Sequence, residues 1–150
     1  LVSKLHRVGI PVVAHVGCRP QQVAREGGYS IAGRTAESAH AVLADAEALV
    51  EAGAVMVLVE ATPTEVAQML VDQLDVPVIG CGAGPACHGQ IVVTQDILGL
   101  SEWQPSFAQS EGNLGAGLQA IIEQWCERVR RRDFEHPYQM KDGEADRLEG

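Results

Sequence analysis

Two side chains in this sequence stand where chemistry would be done. His15 follows the apolar run Ile10-Pro11-Val12-Val13-Ala14, and Glu60 ends the run Val55-Met56-Val57-Leu58-Val59. A carboxylate placed directly after five apolar residues is costly if buried without a partner. Glu60 therefore either opens a loop and faces water, or sits in a semi-enclosed pocket where it can act as a general base. His15 is either a core histidine bonded to backbone or a donor to a substrate carboxylate or oxo group. A third feature, Gly80-Cys81-Gly82-Ala83-Gly84, lets backbone approach a ligand closely. It lacks the helix-opening G-x-G-x-x-G frame with a downstream acid, so it is no dinucleotide fingerprint. Cys81, Cys87 and His88, with His15 or Cys18, raise the question of zinc. No Cys-x2-Cys pair is present, and no metal ligand is assigned.

These groups need elements to position them. The apolar runs at 10–16, 55–60, 76–80 and 91–94 predict four strands, continuous enough to be buried on both faces as in a parallel sheet. Between them Ala39, Val42, Leu43, Ala46, Leu49 and Val50 recur on one face of a helix over 36–52, with Thr35 as cap and Gly53 as stop. Thr62-Pro63-Thr64-Glu65 reads as a capping box opening a helix to about Gln73. A last helix, about 113–132, puts Leu114, Leu118, Ile121, Ile122, Trp125 and Val129 on one stripe, with arginines at its C-terminal end. The alternation means βα units and a parallel sheet, whose ligands bind at the C-terminal ends of the strands. His15, Glu60 and the glycine loop would then share one rim. The loop between the first strand and first long helix is long for such a connection, which points to function. Four strands suit either a small flavodoxin-like sheet or half of a barrel, since a complete (β/α)8 barrel takes roughly 250 residues.

Bulk composition narrows the function classes. Hydrophobic residues are 46 % of 150 and aromatics 4 %, so the core must be aliphatic. A net charge of −9 argues against nucleic acid as a partner. No apolar run reaches the ~20 residues of a membrane helix, so no membrane partner is expected. The four cysteines show no disulfide spacing and read as free thiols in a reducing, cytoplasmic compartment. The chain starts at Leu1, inside a helix-like segment, as a piece of a longer protein would. Residues 1–133 read as an incomplete domain of βα units and 134–150 as a polar, disordered tail.

Four motifs in register carry a resemblance. Pro11-Val12-Val13-Ala14-His15-Val16-Gly17-Cys18-Arg19-Pro20-Gln21 is similar to the P-V-x-x-H-x-G-x-x-P-Q strand of ketopantoate hydroxymethyltransferases. Gly27-Gly28-Tyr29 with Gly33-Arg34 resembles that family's G-G-Y-x-x-x-G-R loop. Gly53-Ala54 through Glu60 and Pro63 resembles its G-A-x5-E-x-x-P block. Pro77-Val78-Ile79-Gly80-Cys81-Gly82-Ala83-Gly84, with Gly89-Gln90 and Asp96, resembles its P-V-I-G-x-G-A-G…G-Q…D block.

The resemblance implies an α/β fold: the C-terminal half of a (β/α)8 TIM-type barrel of the phosphoenolpyruvate-mutase and isocitrate-lyase kind. It implies transfer of a hydroxymethyl group from 5,10-methylenetetrahydrofolate to 3-methyl-2-oxobutanoate, giving ketopantoate for pantothenate and coenzyme A biosynthesis. Glu60 would be the catalytic base, His15 a substrate contact, and Gly80, Gly82 and Gly84 the pocket lining. Mg2+ and the folate are expected of the complete enzyme, with none ligated by this chain. The family's metal aspartates and substrate lysine lie on strands this chain lacks, so the fragment is expected to be inactive alone. Its small-molecule partners would be the 2-oxo acid and the folate, and its open sheet edges imply a homo-oligomer. The alternatives are a non-catalytic half-barrel interaction module, or a related superfamily lyase acting on another 2-oxo acid. Departures from the family pattern at Ser30, His88, Gln95 and Gln109-Ser110-Glu111 are expected to cluster at the rim.

Overall fold

The computed structural model describes residues 1–148. Helix α1 (Val2–Arg7) leads into strand β1 (Val13–Gly17); a 3-10 turn (Pro20–Gln22) and short helix α2 (Val23–Glu26) precede helix α3 (Ala36–Glu51). Strand β2 (Met56–Glu60), helix α4 (Thr64–Gln73), strand β3 (Val78–Cys81) and strand β4 (Gly89–Gln90) follow. Helices α5 (Thr94–Ile97) and α6 (Leu114–Arg131) come next, and a 3-10 turn (Asp146–Leu148) lies in the C-terminal segment. The strands form one parallel sheet in the order β1-β2-β3-β4. A sheet laid down in sequential order has no point where strand order reverses. Right-handed crossovers then keep successive helices on one side. Helices α3 and α4 do pack side by side over the same face.

That face is the core. Ala14 and Val16 of β1, Val57 and Val59 of β2 and Val78 of β3 meet Val42, Leu43 and Ala46 of α3 and Val66, Ala67 and Leu70 of α4. The opposite face alternates with it and is only half-buried at His15, Met56, Leu58, Glu60 and Ile79. The expectation of strands buried on both faces is thus corrected. Two packing helices cover one face, and no described residue covers the other to the same depth.

The ends of the elements follow local chemistry. Thr35 caps α3, its Oγ1 accepting from the Ser38 N–H at 3.2 Å, as the sequence implied. The cap expected of Thr62 does not form. Its hydroxyl donates instead to the Glu60 carbonyl at 3.0 Å, and Pro63 begins α4 without a side-chain cap. The fourth strand is also displaced from the predicted 91–94 to Gly89–Gln90. The Ile91 N–H still reaches the Gly80 carbonyl, but the next carbonyl facing β4 is that of Gly82, where β3 has already ended in a turn at φ +68°. The ladder therefore stops and Val93 starts α5. Helix α6 has the predicted apolar stripe, but none of its residues is buried.

Candidate active site

The register of β1 on β2 pairs His15 with Leu58 and Gly17 with Glu60. His15 and Glu60 therefore lie on the same, open face of the sheet, diagonally adjacent. His15 Nε2 lies 3.0 Å from Glu60 Oε2, with side chains 27 % and 18 % exposed. Nε2 is enclosed yet makes no directed hydrogen bond: the distance suffices but the alignment does not. Both groups so retain capacity for a third.

The backbone around Glu60 is held from several sides. Its carbonyl accepts from the Cys18 N–H at 2.8 Å as well as from the Thr62 hydroxyl. Its cross-strand partner must be glycine. Gly17 has φ +89°, and a β-carbon there would collide with the Glu60 carbonyl and the Thr62 hydroxyl. Immediately after Glu60 the chain turns through Ala61, a non-glycine residue with φ +46°. Such a conformation costs on the order of 1–2 kcal/mol and is typical of functional turns. The Ala61 N–H on the Cys81 carbonyl and the Ala32 N–H on the Ala61 carbonyl hold it there.

Glu60 opens into a cavity of about 750 Å³, within the roughly 300–1,000 Å³ usual for small-molecule sites. Its walls are mainly apolar and aromatic, including Tyr29, Trp103 and Phe107, with Asp96 and Arg34 as the other charged groups. Tyr29 and Trp103 stack with ring centroids 5.9 Å apart. At β3, burial pushes the Cys81 thiol pKa up, and the charges of Glu60 and then Asp96 add to it. The carboxylates of β2 and α5 therefore act on one sulfur.

The glycines divide. Gly82 lines this cavity; its φ of +68° and bare α-carbon leave room for the Phe107 ring, which a β-carbon would strike. Gly82 and Gly84 line a smaller adjoining cavity of about 460 Å³. Gly80, expected as lining, borders neither. It is buried in β3, where its bare α-carbon makes space for the Gln90 side chain, whose Nε2 donates to the Gly84 carbonyl at 2.7 Å. His15 touches Glu60 but does not line the larger cavity itself.

Comparison with known proteins decides the family. The family model described as ketopantoate hydroxymethyltransferase matches residues 1–137. This chain belongs to the ketopantoate hydroxymethyltransferase family. A 3-methyl-2-oxobutanoate hydroxymethyltransferase of Thermosynechococcus vestitus is 47 % identical over 131 residues, 87 % of this chain and 50 % of that protein. Those of Halorhodospira halophila (44 %, 91 % of this chain, 50 % of the relative) and Sulfolobus acidocaldarius (40 %, 97 % of this chain, 54 % of the relative) are similar in the same way. The chain spans about half the length of the curated relatives it matches.

Within this hydroxymethyltransferase family the departures can now be placed. His88 is not at the rim: its Nδ1 accepts from the Val78 N–H at 3.1 Å, at the N-terminal end of β3 and away from Glu60. Ser30 does line the larger cavity. Among the described residues no group of three His, Cys, Asp or Glu side chains is placed to hold a metal ion. No helix among the described residues is long and apolar enough to cross a membrane. Sequence reasoning did not single out Asp96, Arg34 or Trp103 as site residues. Asp96 stands in the last of the resembling blocks, but three residues beyond the apolar run Ile91-Val92-Val93, so spacing alone does not set it at a strand end. Trp103 and Arg34 sit in irregular segments with no periodicity to flag them.

Proposed function

We propose that this chain supplies the general-base half of an enzyme that transfers a hydroxymethyl group from 5,10-methylenetetrahydrofolate to 3-methyl-2-oxobutanoate. The observation that carries the reading is the His15–Glu60 pair, held at the C-terminal ends of adjacent parallel strands with Glu60 on the wall of a cavity of about 750 Å³. The names of the three relatives, each a 3-methyl-2-oxobutanoate hydroxymethyltransferase, and the family description support hydroxymethyl transfer to this acid.

Glu60 takes the proton from C3 of the oxo acid, next to the carbonyl. Water adds at the donor's methylene carbon as its two C–N bonds break, which frees tetrahydrofolate and leaves a one-carbon unit at the formaldehyde level. The C3 carbanion, delocalised as the enolate, bonds to that carbon, and the resulting alkoxide takes up a proton to give the hydroxymethyl group. His15, in contact with the carboxylate and lacking a directed partner, positions Glu60 and donates toward the acid. The apolar wall excludes water, which strengthens both interactions. In the complete enzyme Mg2+ would polarise the 2-oxo group, held by residues outside this chain. The sheet order and the one-sided helices fit half of a (β/α)8 barrel whose inner wall is the face carrying Glu60. The chain alone is expected to be inactive, with the remaining wall and its ligands supplied by the part that relatives carry and this chain does not span.

The test is exchange of the C3 proton of 3-methyl-2-oxobutanoate in D2O, followed by NMR. The other half of a relative is supplied in trans. Exchange should appear on complementation, and Glu60→Gln should slow it by ~100-fold or more. Exchange at an undiminished rate in that variant would remove Glu60 from the reaction.

A further inference from the structure

We propose that Asp96 anchors the ring end of a flat ligand rich in N–H donors, the pterin of a reduced folate, against the aromatic wall of Tyr29, Trp103 and Phe107. This rests on the reading that the site takes a folate donor, and adds a named subsite to it.

Asp96 stands in the first turn of α5 and is 8 % exposed. Its backbone is fully engaged. The N–H donates to the Val93 carbonyl at 3.0 Å, and its own carbonyl accepts from the Gly99 N–H at 3.0 Å and from Gln104 Nε2 at 2.9 Å. The side chain is not engaged: it lines the cavity, and no described residue donates a hydrogen bond or ion pair to its carboxylate. The residue as a whole is buried, but its carboxylate oxygens are not among the enclosed unpartnered atoms, so they are open toward the cavity rather than sealed in the core. A ligand entering the cavity would supply the missing donors.

The chemistry of the carboxylate selects the ligand. Ionised, it only accepts, through two oxygens, and it is best matched by two parallel N–H groups. A 2-amino-4-oxopyrimidine edge offers that pair, one ring N–H beside one exocyclic amine. The walls select flatness. Three of the chain's six aromatic residues (two each of Trp, Tyr and Phe) line this one cavity. Tyr29 and Trp103 are each 64 % exposed, so burial in the core is not what holds them there. Exposed aromatics grouped on a concave surface mark a binding site, and stacked rings favour a planar heterocycle.

The experiment uses the chain carrying Trp125→Phe, a residue on α6 outside the cavity, so that Trp103 alone reports. Titration with 6-methyltetrahydropterin should quench Trp103, and Asp96→Asn should bind it about 10- to 100-fold more weakly, the loss expected of hydrogen bonds to a charged group. The 2-desamino analogue repeats the deletion from the ligand side and needs no Asp96 variant. It should bind the Asp96-containing chain more weakly than the pterin does, and lose less than the pterin on Asp96→Asn, since only its ring N–H still meets the carboxylate. Equal affinity of the two pterins for the Asp96-containing chain, or of the pterin for both chains, overturns the assignment. In parallel, 3-methyl-2-oxobutanoate is followed by the ring resonances of His15. If the acid shifts His15 while the pterin leaves Trp103 unquenched, the Asp96 subsite is wrong and the acid half of the functional reading survives. If neither ligand binds even with the other half of a relative supplied in trans, the functional reading falls and the subsite falls with it.

Discussion

The two faces of the sheet are made from alternate residues of the same strands, yet they differ in kind. On the helix-covered face Val57, Val59 and Val78 are 0 % exposed and Val16 is 2 %, packed on aliphatic side chains of α3 and α4. On the other face the next residues along are His15, Leu58, Glu60, Ile79 and Cys81. Every group with acid–base or nucleophilic character on these strands is on that second face. The period-2 alternation of a strand thus separates stability from chemistry within a few ångströms. One face can be optimised for packing while the other carries polar groups that a closed core would penalise.

The comparison is broken most strongly on the covered face. Leu70, 1 % exposed beneath the sheet, should cost about 2–5 kcal/mol on truncation to alanine, read as a lowered urea midpoint at unchanged slope. A cost below ~1 kcal/mol would mean that α4 is not part of a close-packed core. Next is Gly17, where the two faces meet at the end of β1. Gly17→Ala should cost roughly 1–3 kcal/mol, because the new methyl group meets the Glu60 carbonyl and Thr62 hydroxyl at a positive φ. It should also shift the amide resonances of Glu60 and Ala61, and unaltered shifts would show that the β1 end does not press on the base.

Open-face changes should move stability least. Glu60→Gln keeps the shape of a half-buried side chain, and its denaturation midpoint should stay within about 0.5 kcal/mol of the starting protein. A larger loss would make Glu60 a structural residue. The same substitution has a chemical readout at Cys81. That thiol's pKa is raised above 9.0 by burial first and by Glu60 second, so it holds little thiolate near pH 8. Iodoacetamide should label exposed Cys126 before Cys81, and Glu60→Gln should speed the labelling of Cys81. The linkage has a definite sign. A raised thiol pKa stabilises the fold fully below pH 9.0, and this contribution is lost as pH rises from there through the folded-state value. The stability slope above pH 9 should therefore be shallower in Glu60→Gln.

Helix α6 offers a second contrast. Its stripe has the periodicity of a core helix, but Leu118, Ile121 and Trp125 are 57 %, 68 % and 54 % exposed. If this stripe drives self-association, sedimentation should show a concentration-dependent dimer that Ile121→Asp abolishes. A monomer at all concentrations would end the homo-oligomer expectation.

Much of this was legible from the chain alone, for local reasons. Hydrophobic periodicity placed α3, α4 and α6 to within a few residues, and the Thr35 cap marked the start of α3, because amphipathic spacing and capping act within one turn. Apolar runs ending in His15-Val16-Gly17 and Glu60 located β1, β2 and their reactive ends. Four motifs in register named the family that comparison then established. What needed the tertiary structure was everything that depends on neighbours distant in sequence. A buried run does not say which of its faces is covered, and only the packing of α3 and α4 on one side decided that. Thr62 could cap a helix or hold the Glu60 carbonyl, and the approach of Gly17 from another strand favoured the second. Asp96 is an ordinary acid in the sequence. It becomes a candidate anchor only because β3, the loop carrying Phe107, and the segments bearing Tyr29 and Trp103 close around it, and three-dimensional proximity of that kind has no signature in linear spacing.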